Sequence, residues 1–245
     1  MDILQRIKEE QISPCKLFGT GINNIEKKIK CLIDIVMDDN PRDLGYDFFD
    51  IKGTVLLHGI PGIGKTTAMN NCMSYALDKY GSDCYEILTT ETIECELGKA
   101  TKNLSDALNE FESKENAILF IDEIDRLCIN RKADELSELK RMLMELMRFF
   151  DRQKASSKRV ILCCTNIVEQ IDDALKRRFT IFEEVGKPEK KEMIEFANLC
   201  MEKASMKGKV IGIMQNLATF DDIKKVFRDA LLANANVRDA FELEE

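Results

Sequence analysis

The sequence predicts an α/β protein: an αβα sandwich on a five-stranded parallel sheet, followed by a smaller helical domain. Three observations carry that expectation. Short apolar runs alternate along the chain with stretches of helical periodicity, as they do when the crossovers of a parallel sheet are helices. Three of those runs, "TVLLH", "AILFI" and "RVILCC", are almost wholly apolar, the mark of strands covered on both faces. Beyond "GKPEKKE" the strand-like runs stop and helical spacing alone continues.

In chain order, residues 1–17 read as a short N-terminal extension. Ile22, Ile25, Ile29, Leu32, Ile33 and Val36 then recur at helical spacing, which predicts an amphipathic helix ahead of the first strand. The strands are expected at 54–58, 84–88 ("CYEIL"), 117–121, 159–164 and 180–185 ("TIFEEV"). Between the third and fourth, Leu136, Leu139, Leu143, Leu146, Met147 and Phe150 form the stripe of another core-facing helix, with Met142, Met144 and Met147 as adaptable filler. A boundary near Gly186 to Pro188 divides the chain into domains at 18–186 and 187–245. The second holds one helix marked by Met193, Phe196, Leu199 and Cys200. A last helix is marked by Ile223, Val226, Phe227, Ala230 and Leu231, and Thr219 and Asp222 are spaced to cap its start.

Composition narrows the functions. With 245 residues, 44% hydrophobic and 33% charged, the chain can bury a core in one large or two small domains. Its net charge of −8 argues against a protein that grips a nucleic-acid backbone, which needs clustered Lys and Arg. No apolar run approaches the ~20 residues of a membrane helix, and "MDILQRIKEEQ" lacks the build of a signal peptide; the expected location is the cytoplasm. The nine cysteines are scattered, and with His58 as the one imidazole they read as reduced thiols rather than as zinc ligands.

The chemistry is carried by four stretches. "GIPGIGKTT" sits between a strand and a helix and satisfies G-x-x-x-x-G-K-[ST] through Gly59, Gly64, Lys65 and Thr66. Its residues Gly59, Ile60, Pro61, Gly62, Ile63, Gly64, Lys65, Thr66 and Thr67 form the expected phosphate cradle. Backbone N–H groups and the positive end of the next helix face the phosphates. Lys65 is then placed for the β- and γ-phosphates, and the Thr66 hydroxyl for Mg²⁺. "ILFIDEID" ends an apolar strand in Asp122, suited to the metal's hydration shell, and Glu123, suited to polarise an attacking water. "ILCCTN" ends the neighbouring run in Asn166, an amide able to orient that water. "IDDALKRRF" places Arg177 and Arg178 just before the last strand.

In this order, and followed by a helical domain, the four stretches resemble the AAA+ superfamily, most of all its classical AAA branch, from about Phe18 to Ala233. The resemblance implies a P-loop NTPase core, a helical lid, the cofactors ATP and Mg²⁺, and a homo-oligomeric ring, usually a hexamer. It gives Lys65 and Thr66 the Walker A roles, Asp122 and Glu123 the Walker B roles, and Asn166 the sensor role. Arg177 and Arg178 become fingers reaching into the next subunit's site, and Thr20 and Gly21 of "FGTGI" become adenine contacts. In one place the chain departs from the pattern. Where substrate-threading members carry an aromatic residue in the loop after the second strand, this chain has Glu96, Leu97 and Gly98.

The expected function is Mg²⁺-dependent ATP hydrolysis coupled to remodelling or disassembly of a protein partner. The alternative is an ATP-controlled assembly switch that binds or gates an effector, a nuclease or a protease, without threading it. A DNA-acting loader fits less well, since neither the acidic total nor the tail "NANVRDAFELEE" supplies a basic surface. A small-molecule kinase has no need of Asn166, the arginines and the lid together.

Overall fold

A computed structural model describes residues 3–38, 48–93, 99–127, 135–233 and 235–244. The elements run β1 (Leu4–Arg6), α1 (Thr20–Met37), β2 (Thr54–His58), α2 (Lys65–Tyr80), β3 (Asp83–Ile87), α3 (Thr89–Ile93), α4 (Lys99–Glu112), β4 (Ala117–Ile121) and α5 (Glu135–Arg152). They continue with β5 (Arg159–Thr165), α6 (Asp173–Lys176), β6 (Ile181–Glu184), α7 (Lys190–Lys203), β7 (Lys209–Ile213), α8 (Phe220–Ala233) and β8 (Phe241–Glu244).

The main sheet has the order β1-β3-β4-β5-β2-β6. Every neighbouring pair from β3 to β6 is parallel, which is the expected five-stranded sheet. A sixth strand, β1, adds to its edge antiparallel to β3, with Leu4 opposite Ile87 and Arg6 opposite Tyr85. Those three residues fall in the stretch read as an extension. Three residues carry too little alternation to announce a strand, and pairing along β3 supplies what local sequence does not.

Alternation along the central strands explains why both faces are covered. In β4, Leu119 and Ile121 point into the cluster that also holds Leu104, Phe111, Leu146 and Phe149 from α4 and α5. Ile118 and Phe120 point the other way, into the cluster of Ile29, Ile33, Met69 and Met73 from α1 and α2. The helical stripe of α5 differs from the expected one: Met142 and Phe149 are buried beside Leu146 and Phe150, while Leu139, Leu143 and Met147 are only partly covered. The side chain of Leu136 lies outside the described residues, and so do Glu96, Leu97 and Gly98.

The boundary expected near Gly186 to Pro188 falls between β6 and α7. Beyond it a third cluster gathers Met193, Ala197, Phe220, Ile223, Phe227 and Phe241. This part is not made of helices alone, because β7 and β8 pair antiparallel with a bulge between Val210 and Gly212. The two strands are far apart in sequence and share no turn signal, so their pairing is a tertiary event. The start of α8 is capped as its spacing suggests: Asp222 N donates to Thr219 Oγ1 at 3.2 Å and Thr219 N to Asp222 Oδ2 at 2.9 Å.

Candidate active site

The site forms where the C-terminal ends of β2, β4 and β5 lie side by side, the edge at which parallel α/β sheets carry their ligands. β2 leads into the turn Gly59–Gly64, which in turn opens α2. Gly59 must be glycine there, since φ is +144° and a Cβ would lie 2.5 Å from the Val185 carbonyl oxygen. A Cβ on Gly62 would meet Asp221 Cβ at 2.8 Å, so α8 rests directly on the turn.

Lys65, the first residue of α2, is 7% exposed and folds back over the turn. Its ammonium donates to Gly59 O at 2.7 Å, Ile60 O at 2.8 Å and Asn166 Oδ1 at 2.7 Å. Burial pushes its pKa below the ordinary lysine value, with the charges of Asp122 and Asp125 acting in the opposite sense. Thr66 Oγ1 donates to Asp122 Oδ2 at 3.1 Å. This hydroxyl and carboxylate, both on a cavity wall, are the hard oxygen donors that suit Mg²⁺.

Glu123 follows Asp122 in a turn with φ at +51°, a conformation uncommon outside glycine that costs on the order of 1 kcal/mol or more. Its backbone N–H donates to Asp122 Oδ1 at 2.9 Å, and its carboxylate pairs with Arg126 at 2.5 Å. Just beyond, Asp125 is 5% exposed and accepts from Thr165 Oγ1 at 2.6 Å.

Lys65, Thr66, Asp122, Glu123 and Asn166 line a cavity of about 740 Å³, the size of a nucleotide site. Pro61 through Thr67, Asp122, Glu123 and Asn166 form one wall. Cys15 through Phe18 and, from α7 and α8, Phe196, Leu199, Lys203, Phe220, Asp221 and Lys224 form the rest. Phe18 stacks edge-on to Phe196 with centroids 5.1 Å apart, and Phe196 lies 4.9 Å from Phe220. Sequence reasoning assigned none of these cavity residues outside the turn and strand ends. In sequence they look like core positions and a solvated extension, and folding alone brings them together. Thr20 and Gly21, by contrast, open α1 and are not on the cavity wall; Thr20 N donates to Glu192 Oε1 at 2.8 Å.

Neither arginine lines the cavity. Arg178 is engaged at home: Nε and Nη2 each donate to Asp151 at 2.8 Å, and Nη1 donates to Ala174 O at 2.5 Å. Arg177 is exposed; among the described residues its side chain makes no hydrogen bond, and, behind the hydrogen bond from Lys176, its charge helps to hold the Asp173 carboxyl below the ordinary value.

With this geometry in place, comparison with known proteins is decisive. The family described as "ATPase family associated with various cellular activities (AAA)" matches residues 55–187. The chain belongs to the AAA family of ATPases. The matched part of this AAA chain runs from β2 past β6. It therefore holds Lys65, Thr66, Asp122, Glu123, Asn166 and both arginines, and it leaves out Cys15 to Phe18 and the cavity residues of α7 and α8.

Among similar proteins, the "ATPase family gene 2 protein" of Saccharomyces cerevisiae is 32% identical over 182 residues, 72% of this chain and 23% of that protein. Its namesake in Schizosaccharomyces pombe is 27% identical over 192 residues, 77% of this chain and 23% of that protein. The "Proteasome-activating nucleotidase" of Methanococcus maripaludis is 26% identical over 220 residues, 86% of this chain and 52% of that protein. The AAA chain thus spans between about a quarter and about half of these relatives. Among the described residues no helix is long and apolar enough to cross a membrane.

Proposed function

We propose that this chain hydrolyses ATP in a ring-shaped homo-oligomer, a hexamer as the family resemblance implies, and couples the cycle to remodelling of a protein partner. The observation that carries this reading is the convergence on Lys65: one buried ammonium held by the turn and by Asn166, with Thr66 and Asp122 bonded beside it. An incoming γ-phosphate would take over hydrogens of Lys65 that Asn166 and the turn carbonyls now accept. That exchange releases the Asn166 amide to orient a water, which Glu123 polarises once its carboxylate leaves Arg126. Thr66 and Asp122 would hold the Mg²⁺ that accompanies ATP, whose chemistry there would be neutralisation of phosphate charge.

Arg177 is the better candidate for a finger acting on a neighbouring subunit, because its guanidinium is exposed and makes no hydrogen bond among the described residues, while that of Arg178 is held by Asp151. Cytoplasmic location and a protein partner remain part of the proposal. A second reading, in which the ring gates a protease or another effector without threading it, draws support from the name of the Methanococcus relative.

The experiment is Glu123→Gln. The amide preserves shape but cannot take a proton, so nucleotide should still bind while turnover falls by about 10²-fold or more. Unchanged turnover would remove Glu123 from the mechanism, and loss of nucleotide binding would contradict its assigned role.

A further inference from the structure

The turns that end β4 and β5 are cross-linked by a buried bond that the hydrolytic scheme does not use. Asp125 lies two residues past Glu123, in a short helical turn at Ile124–Leu127. Ile124 and Leu127 are both fully buried and pin that turn to the core. Between them Asp125 turns sideways to the next strand, where Thr165 Oγ1 donates to its Oδ1 at 2.6 Å. Thr165, the last residue of β5, is 1% exposed and Asp125 is 5% exposed.

The direction of each bond is fixed by chemistry. The backbone N–H of Ile167 can only donate and does so to Thr165 Oγ1 at 3.0 Å, while the same hydroxyl gives its own hydrogen to Asp125 Oδ1. Asn166 lies between the two residues whose groups meet at this hydroxyl. Its backbone is held on both sides, and its side-chain oxygen receives Lys65 Nζ at 2.7 Å.

A buried carboxylate with a hydroxyl donor is an expensive way to join two strands that apolar side chains already pack. It does, however, fix an angle, because a hydrogen bond is directional where packing is not. From this we propose that Asp125 and Thr165 are positioning residues: a strut that ties the Asp122–Glu123 turn to the Asn166 turn and holds the amide at the γ-phosphate position in step with the base. The inference rests on the reading of Asn166 as the residue that orients water. Neither Asp125 nor Thr165 touches the reacting atoms. Their effect passes through Asn166.

The test is a double-mutant cycle on the full chain, with steady-state ATPase rates and ATP affinity by calorimetry as readouts. Thr165→Val keeps the shape and removes both hydrogen bonds. The expected result is a fall in kcat of about tenfold to a hundredfold, the scale of a small misplacement of a catalytic group, with ATP affinity within about twofold of wild type. Thr165→Ser keeps the hydroxyl and should restore kcat to within about threefold. In the Asn166→Ala background, Thr165→Val should cause no further loss, because the strut then has nothing to orient.

If Thr165→Val lowers kcat by the same factor in both backgrounds, or lowers ATP affinity as much as kcat, the bond is structural and the strut is wrong. If Asn166→Ala itself leaves kcat unchanged, the water-orienting role fails and the strut fails with it, a result distinguishable from the first. Should Thr165→Val not fold, Asp125→Asn in the same two backgrounds makes the same comparison: a kcat loss confined to the Asn166 background supports the strut, and equal losses or none overturn it.

Discussion

Lys65 uses its three ammonium hydrogens within its own chain, two on turn carbonyls and one on Asn166. Such an ammonium is pre-aimed, and a phosphate gains it by exchanging acceptors rather than by ordering a free side chain. The same distinction between held and free groups separates the two arginines. Arg177→Ala should leave thermal stability and ATP affinity close to wild type while turnover drops by roughly 10³-fold, the scale of finger residues. Arg178→Ala should lower stability by roughly 1 kcal/mol, as a partly exposed ion pair is lost, and Asp151→Asn should reproduce that loss. Melting curves and ATPase rates of the three variants decide the matter; a turnover defect confined to Arg178→Ala would reverse the assignment. Sequence adjacency alone could not rank the pair, because the ranking depends on Asp151, 27 residues away.

Elements are tied to one another at a few polar points between large apolar areas. α1 and α2 meet through Asp34, which accepts from Tyr75 Oη and Tyr80 Oη at 2.8 Å and from Lys79 Nζ at 2.9 Å. Partial burial works to raise this carboxyl's pKa, but the bonds from Lys79, Tyr75 and Tyr80 prevail and hold it below the ordinary value of 3.8. A depressed folded-state pKa means that the stabilisation is present above 3.8 and is lost as pH falls through the lower value. Asp34→Asn should therefore have a lower urea midpoint than wild type at about pH 6, with the gap closing towards about pH 3. A gap of constant size across that range would show that the carboxylate's charge plays no part. The helical stripe of α1 was plain from spacing. The polar knot was not, since Asp34 and Lys79 lie on different helices.

For the whole molecule, the cavity is walled by the turn and strand ends of the main sheet together with residues of α7 and α8, and among the described residues its lining holds lysines and no arginine. If Arg177 acts on a neighbour, activity must depend on assembly. Glu123→Gln subunits keep their arginine and Arg177→Ala subunits keep their base. Mixing the two should restore turnover at interfaces where an intact Arg177 meets an intact Glu123, and wild-type turnover per subunit should rise with concentration. No rescue, together with a rate independent of concentration, would mean that the site works within one chain and would remove the ring from the proposal.

The positions of Lys65 and Thr66 at the start of α2, and of Asp122, Glu123 and Asn166 just past their strands, were legible from residue order, because each sits in a short motif next to an apolar run that marks a strand. The five parallel strands followed from the same local signals. The edge strand at Leu4–Arg6, the β7–β8 pair, the aromatic wall of Phe18, Phe196 and Phe220, and the buried bond from Asp125 to Thr165 were not legible. Periodicity reports which face of an element is apolar, and a motif reports chemistry carried by neighbours in sequence. Contacts between residues far apart in the chain leave no such local mark, because they form only when the packing of the whole core fixes which surfaces meet.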